Sequence, residues 1–311
     1  MNVLKEATES HIHCDICGGA NVVLWTWACE NDSPFIAPSL RGKRRFPVVR
    51  CVNCGFAFVS PRYSLEELRG IYADKRLFTG SSDPEGQLRS YIGERAEKIR
   101  YFQKVSQWME SHKSQGTLLD VGCGPGFFLS SLGKHWHSEG IDLSPYAVEY
   151  GRREFGLKLR HGEFAPGIYE AGSFDVVAMM QVFDHLPDPR QTLGEVRRIL
   201  RNDGLLVMTS IVNGSSFCAR VFAGGYRLIA PNHLYYFSPA NLKQLLSEFG
   251  FELEVIKFPY WNTPYCNLLE IINFAKKTAM AMASRLFGRE PCIISPPFYG
   301  NHIDFMARKL P

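Results

Sequence analysis

The stretch Leu118-Leu119-Asp120-Val121-Gly122-Cys123-Gly124-Pro125-Gly126 leaves a chain few choices. Its first half is the short apolar run of a buried parallel strand. The second half cannot prolong that strand, because glycine and proline break the ladder. Phe127 to Leu132 then has the composition of a helix opening. Strand, glycine turn and helix start, in that order, form a nucleotide-type cradle. Glycine lets the backbone approach a ligand closely, and a helix N-terminus offers unpaired N–H groups. A second acid supports this reading. Gly140-Ile141-Asp142-Leu143-Ser144 closes the next apolar stretch, with Asp142 lying 22 residues after Asp120. A carboxylate at the tip of the second strand, about 20 residues on, is where a ribose diol is held in such folds. A bare glycine turn is the competing reading, and the agreement of the two halves speaks against it.

These two stretches, together with Phe174-Asp175-Val176-Val177, resemble the three core motifs of class I S-adenosylmethionine-dependent methyltransferases, over roughly residues 116–309. The resemblance implies a Rossmann-like α/β sheet, parallel with one antiparallel strand, and S-adenosyl-L-methionine as cofactor. Asp120 with Gly122, Gly124 and Gly126 matches the part of that family that holds the methionine moiety, and Asp142 matches the acid on the ribose hydroxyls. Cys123, Leu143 and Gln181 belong to the same cofactor-binding set. In that family an acid after the third strand commonly contacts the adenine amino group, which makes Glu163 and Phe164 candidates, with Glu standing where Asp is frequent. Nicotinamide enzymes share the glycine turn but lack the D-x-G-x-G order.

Ahead of this region lie two C-x-x-C-G knuckles, Cys14-Asp15-Ile16-Cys17-Gly18 and Cys51-Val52-Asn53-Cys54-Gly55. Thiolates at that spacing fold back on one cation, and two such pairs make the tetrahedral sulfur set of a structural zinc site. With Cys14, Cys17, Cys51 and Cys54 all ligating, no coordination position stays open for catalysis. Cys29 is a spare candidate, with burial as a free thiol the better account. His11 and His13 read as solvated tail. The longer gap between the knuckles predicts a loop bulging out over residues 31–45. Its basic run, Arg41 to Arg45, could meet phosphate or lie in solvent.

The resulting organisation is a zinc-binding ribbon module at 1–62, a helical connector at 63–112, and a methyltransferase-like domain at 113–311 with an insertion about 259–300. Ser64-Leu65-Glu66-Glu67 is a capping box that opens a helix through Tyr72. The periodicity from Gln87 to Ser111 predicts one long helix. By the resemblance this helix covers the cofactor, with Tyr91 and Arg95 within reach of its carboxylate or merely packed. Asn267 to Phe287 reads as an amphipathic helix that caps the substrate or pairs two subunits, so a homodimer is one expectation. No run of about 18 apolar residues exists, so no membrane span is expected, and the N-terminus lacks a signal-peptide core. A cytoplasmic protein is the default expectation.

For chemistry, two histidines stand out. His185 follows the fourth strand in D-H-L-P-D-P, which resembles the turn of small-molecule methyltransferases, and His233 lies in the aromatic segment after strand five. Each could act as general base near neutral pH or be a structural histidine bonded to backbone. Tyr235 and Tyr236 are candidate pocket walls. The order of knuckles and glycine motif resembles methyltransferases of antibiotic, polysaccharide and deoxysugar pathways, implying a small-molecule acceptor, methylated at carbon or oxygen. Two alternatives remain: an RNA or protein methyltransferase gripping with its zinc module, and a non-catalytic binding module. A net charge of +4 gives no independent argument for nucleic acid. No H-E-x-x-H helix or G-x-S-x-G elbow supports hydrolysis.

Overall fold

In the computed structural model, residues 13–30, 44–82, 88–226, 228–257 and 301–311 are described. The insertion about 259–300, its expected helix, His11 and most of the 31–45 loop lie outside the described residues. The chain opens with β1 (Val22–Cys29), β2 (Arg45–Cys51) and β3 (Ala57–Val59), an antiparallel ribbon with both knuckles at the open end of its first hairpin. Each knuckle turns on a glycine at positive φ, Gly18 at 70° and Gly55 at 71°. Their N–H groups donate to Cys14 O at 2.8 Å and Cys51 O at 2.9 Å.

The capping box forms as the sequence requires. Ser64 Oγ accepts from Glu67 N, Glu67 Oε2 accepts from Ser64 N at 2.8 Å, and α1 spans Leu65–Ala73. A short α2 (Arg76–Thr79) and the hairpin strands β4 (Ser81–Ser82) and β5 (Leu88–Arg89) follow. The long helix expected from Gln87 is shorter: α3 spans only Arg95–Glu110. Ser90 Oγ donates to Phe78 O and accepts from Gly93 N at 2.9 Å, while Ile92 N donates to Phe78 O. Those bonds hold Ser90–Gly93 as a turn against α2, so the helical period there is not realised.

The remaining elements are β6 (Gly116–Val121), β7 (Trp136–Asp142), α4 (Pro145–Phe155), β8 (Leu159–His161), β9 (Phe174–Met180), α5 (Pro189–Ile199), β10 (Leu200–Val212), α6 (Phe217–Phe222), β11 (Tyr235–Tyr236), α7 (Pro239–Glu248), β12 (Phe251–Lys257) and β13 (His302–Lys309). Seven of the strands order as β12-β13-β10-β9-β6-β7-β8, with β13 antiparallel to both neighbours and the rest parallel. This is the expected Rossmann-like sheet with one antiparallel strand. Alternate residues of its central strands enter two different cores. Leu119, Val177 and Leu206 join the cluster shared with α5, α7 and the ribbon, whereas Leu118, Val176 and Leu205 join the cluster under α3 and α4. Both faces are therefore dry, which explains the uniformly apolar strands.

One expected element is absent. After β6 there is no α-helix, only a 3-10 turn at Leu129–Ser131. Ser130 Oγ and Ser131 Oγ donate to the carbonyls of Phe127 and Phe128 at 2.9 and 2.6 Å, and Leu132 is extended. The serines compete locally for the carbonyls that a helix would use.

The ribbon is continuous with the rest of the molecule. β11 pairs with β3, Tyr235 opposite Phe58 and Tyr236 opposite Ala57, giving a four-stranded sheet β1-β2-β3-β11. Phe56 packs against Tyr235 and Phe237 at centroid distances of 5.9 and 5.0 Å. Arg62 donates to Tyr235 Oη at 2.7 Å, and Asn241 and Gln244 of α7 donate to the carbonyls of Cys54 and Ile16.

Candidate functional site

The carboxyl ends of β6, β7 and β9 bring Asp120, Asp142 and Gln181 to one edge of the sheet, where ligands of open parallel sheets bind. The loop after β6 closes on β7, with Gly122 N donating to Ile141 O at 2.8 Å. A side chain at Gly122 would strike Val182 Cγ2 at 2.4 Å, so glycine there permits contact between the loop and the end of β9. Gly124 has φ +52° and donates to Asp142 Oδ2 at 2.7 Å, while Ser144 N donates to Asp142 Oδ1 at 2.8 Å. Asp142 thus has its carboxylate aimed by two backbone donors and retains acceptor capacity.

Asp120 differs. It is 1% exposed, and both carboxylate oxygens lack a hydrogen-bond partner. Burial, and then the nearby charge of Asp142, push its pKa well above the ordinary carboxylate range. Burial likewise raises Asp142. Tyr91 stacks on Phe127 at 5.5 Å, and its phenol is pushed up by burial and then by the charges of Asp120 and Asp142. Two unneutralised carboxylates beside a loop of positive-φ glycines fit a ligand that brings a cationic amine and hydroxyl donors. The methionine and ribose parts of S-adenosylmethionine are such groups.

The other expected cofactor residues are distributed unevenly. Gln181 sits at φ +66°, its N–H held by Thr209 O at 3.1 Å, an uncommon backbone state at a strand end beside the cradle. Leu143 O is bonded by His161 Nε2 at 3.1 Å. The Cys123 side chain packs into the core, where a Cβ on Gly140 would meet its sulfur at 2.6 Å, leaving only backbone to face the loop. Glu163 pairs across the surface with Arg69 of α1, Arg69 Nη2 donating to Oε2 at 2.9 Å, and Phe164 packs on the core. Arg95 is engaged with Glu154 and lies over the Phe155 ring.

A second cluster is assembled from three separate segments. Asp184 and His185 follow Val182 in a 3-10 turn, His233 precedes β11, and Tyr72 comes from α1. The imidazole rings of His185 and His233 are 4.7 Å apart. His185 Nδ1 lies 2.8 Å from Asn232 O and 2.8 Å from Tyr72 Oη, and His233 Nδ1 lies 2.7 Å from Leu228 O. A carbonyl only accepts, so Nδ1 carries the proton in both rings and Nε2 is left as the acceptor. Burial, then the neighbouring His185, lowers His233 to about 4. Asp184 is 1% exposed, with Oδ2 accepting from Val212 N at 3.3 Å and Oδ1 unpartnered. Sequence reasoning named both histidines but missed Tyr72, which carried no motif, and Asp184, which was visible only as part of D-H-L-P. The expectation that Tyr235 and Tyr236 line a pocket is corrected. Both are buried and donate to the carbonyls of Pro187 and Ala230, because β11 completes the ribbon sheet.

The four knuckle cysteines converge, all sulfurs within 4.8 Å of one another, with Cys14–Cys54 and Cys17–Cys51 each at 3.5 Å. Zn–S bonds near 2.3 Å imply tetrahedral S···S edges of about 3.8 Å, so the set matches a zinc cage and is too open for disulfides. Burial opposes ionisation of Cys51, but the N–H groups of Cys54 and Asn53 and the thiols of Cys17 and Cys54 outweigh it, bringing the thiol down to about 7. Of the basic run, Arg44 is tied inward to Glu30 at 2.9 Å and Glu67 at 2.6 Å, and Arg45 lies over Trp27. Among the described residues, no helix is long and apolar enough to cross a membrane.

Residues 91–255 match the model of a family described as a methyltransferase domain. A ubiquinone biosynthesis O-methyltransferase from Thiobacillus denitrificans is 31% identical over 150 residues, 44% of this chain and 65% of that protein. An uncharacterized 37.1 kDa protein of a Streptomyces fradiae transposon is 39% identical over 98 residues, 29% of this chain and 28% of that protein. The chain thus spans less than two thirds of the length of either relative. Among solved structures, a possible histamine N-methyltransferase from Thermotoga maritima aligns over 70% of this chain and 95% of its own, at 21% identity and a TM-score of 0.49.

Proposed function

The chain belongs to the methyltransferase-domain family, and from that premise we propose that it transfers the methyl group of S-adenosylmethionine to a small-molecule acceptor, at oxygen or carbon. The observation that carries this reading is the Asp120 carboxylate, buried without a partner beside Asp142 and the glycine loop. A buried acid of that kind destabilises the unliganded protein and is compensated when a cation binds. Asp120 would take the amine of the methionine moiety, Asp142 the ribose hydroxyls, and the backbone from Gly122 to Gly126 would lie along the ligand. Cys123, Leu143 and Gln181 would flank it, with Glu163 and Phe164 at the adenine end. When bound, the cofactor supplies an electrophilic methyl on a sulfonium whose leaving group departs neutral. No acid is therefore required of the protein, only orientation and, for a protonated acceptor, removal of a proton.

The proton-accepting side would be the cluster of Tyr72, Asp184, His185 and His233. Val182, two residues before Asp184, packs on Gly122, which joins the cluster to the cradle. His185 and His233 present Nε2 as acceptors, so either is fitted to receive an acceptor's proton. The O-methyltransferase name of the Thiobacillus relative supports a small oxygen acceptor. Cys14, Cys17, Cys51 and Cys54 would hold a structural zinc, supported by the spacing of their sulfurs.

Calorimetric titration with S-adenosylhomocysteine, with NAD as control, tests the assignment. Binding of the former alone is expected, and binding of NAD alone would overturn it. Labelled cofactor incubated with metabolite extracts then identifies the acceptor by mass.

A further inference from the structure

The geometry of Asp184, His185 and His233 points to a second metal site: we propose that these three side chains bind a divalent transition-metal ion, distinct from the cysteine site. One ligand atom from each lies within 4.8 Å of the others. His185 and His233 donate Nδ1–H to the carbonyls of Asn232 and Leu228, which leaves Nε2 as the ligand atom of each ring, and His185 Nε2 lies 3.9 Å from Asp184 Oδ1. Carbonyl-bound Nδ1 is the arrangement that fixes ring orientation in metal-ligating histidines. Asp184 Oδ1 is buried and has no hydrogen-bond partner. A proton shared with His185 does not satisfy it, since His185 Nε2 lies 3.9 Å away, beyond hydrogen-bond reach. That separation is only about half an ångström wider than the edge of a four-coordinate nitrogen/oxygen shell with bonds near 2.1 Å.

Two imidazoles and one carboxylate select zinc-like or iron-like ions over magnesium or calcium, and three protein ligands leave at least one position open. The Tyr72 hydroxyl, 2.8 Å from His185 Nδ1, adds a second support to that ring. The ion's role rests on the methyl-transfer reading. An acceptor hydroxyl entering the open position would be acidified by the metal, reaching by charge what an imidazole base reaches by proton transfer. The site itself does not depend on that reading.

The test uses the full chain with its cysteine site already filled with zinc. Titration with Co2+ is expected to fill one further site, with weak visible d–d absorption and no thiolate charge-transfer band. His233→Ala and Asp184→Asn are each expected to weaken that uptake at least tenfold while the zinc content of the cysteine site stays unchanged. X-ray absorption on the unmodified Co2+-loaded chain is expected to show two imidazole nitrogens and no sulfur, a readout that stands even if a variant fails to fold. Absence of a further binding event, sulfur in the cobalt shell, or uptake unaffected in folded variants would overturn the site. Binding of S-adenosylhomocysteine, measured separately, decides the methyl-transfer reading without reference to the metal.

Discussion

The cradle and the histidine cluster are neighbours with opposite electrostatics and opposite origins in the chain. In the cradle, burial raises the acids Asp120 and Asp142, so the unliganded fold disfavours their charge. On the other side, burial lowers His233 and His302 to about 4, so that the fold prefers those bases neutral too. One side offers carboxylates to the cofactor's cation, and the other offers imidazole lone pairs and Asp184 to the proposed metal ion. The cradle is built from a contiguous strand, loop and strand, whereas the histidine cluster draws on α1, the end of β9 and the approach to β11. A site of the first kind can be read from a motif, and a site of the second kind exists only once distant segments have met.

The largest perturbation of this comparison is removal of the cysteine metal. Cys51→Ser combined with Cys54→Ser is expected to abolish zinc content and unfold the ribbon, since structural zinc contributes on the order of 10 kcal/mol in small modules. Because β11 pairs with β3, the histidine side should be disturbed while the cradle survives. Fluorescence of Trp25 and Trp27, alongside S-adenosylhomocysteine affinity, reads the two separately. Equal damage to both sides would erase the distinction.

The pH dependence comes next. Between the unfolded histidine pKa near 6.5 and the folded value of about 4, the unfolded chain binds more protons at His302, so stability is complete above that window and falls as pH drops through it. The size is about 3 kcal/mol for His302, and His302→Asn should lessen the fall of the denaturation midpoint across that range, with His233 supplying the remainder. Asp120 acts with the reverse sign. Its folded pKa lies above the unfolded one, so its contribution is present at low pH and is lost as pH rises through the folded value. Asp120→Asn is therefore expected to raise the melting temperature of the unliganded chain near neutrality while lowering affinity for S-adenosylhomocysteine. A fall in both would show that the acid is structural.

Asp142→Ala removes a hydrogen-bonding carboxylate and should weaken cofactor binding by about 10- to 100-fold, the equivalent of about 1.4–2.7 kcal/mol. Unchanged affinity in calorimetry would remove the ribose role. Smallest of all is Arg69→Ala. Its pair with Glu163 is solvent-exposed, and no shift in melting temperature is expected.

The parallel sheet with its one antiparallel strand was legible through the family resemblance, and both acids, the glycine loop and the four cysteines because each is carried by residues close in sequence with a fixed spacing. The missing helix after β6 was not, since Ser130 and Ser131 decide it through bonds to Phe127 and Phe128 that composition does not reveal. Nor was the shortened α3, which Ser90 and Phe78 arrange from outside the helix. Tyr72 looked like one more aromatic on an amphipathic helix, and only the approach of Asn232, 160 residues away, gives its hydroxyl a place beside His185. Tyr235 and Tyr236 misled for the same reason, because the partner strand β3 that buries them lies far upstream.

The pairing of β3 with β11 also bears on how the molecule is made. A ribosome delivers the knuckles early, yet the ribbon keeps an open strand edge until residues 235–236 have emerged. During that interval Phe56 lacks its partners Tyr235 and Phe237, and an unpaired edge beside an exposed ring is the kind of surface that invites intermolecular pairing. Stalled or truncated nascent chains ending before that point should be the aggregation-prone ones.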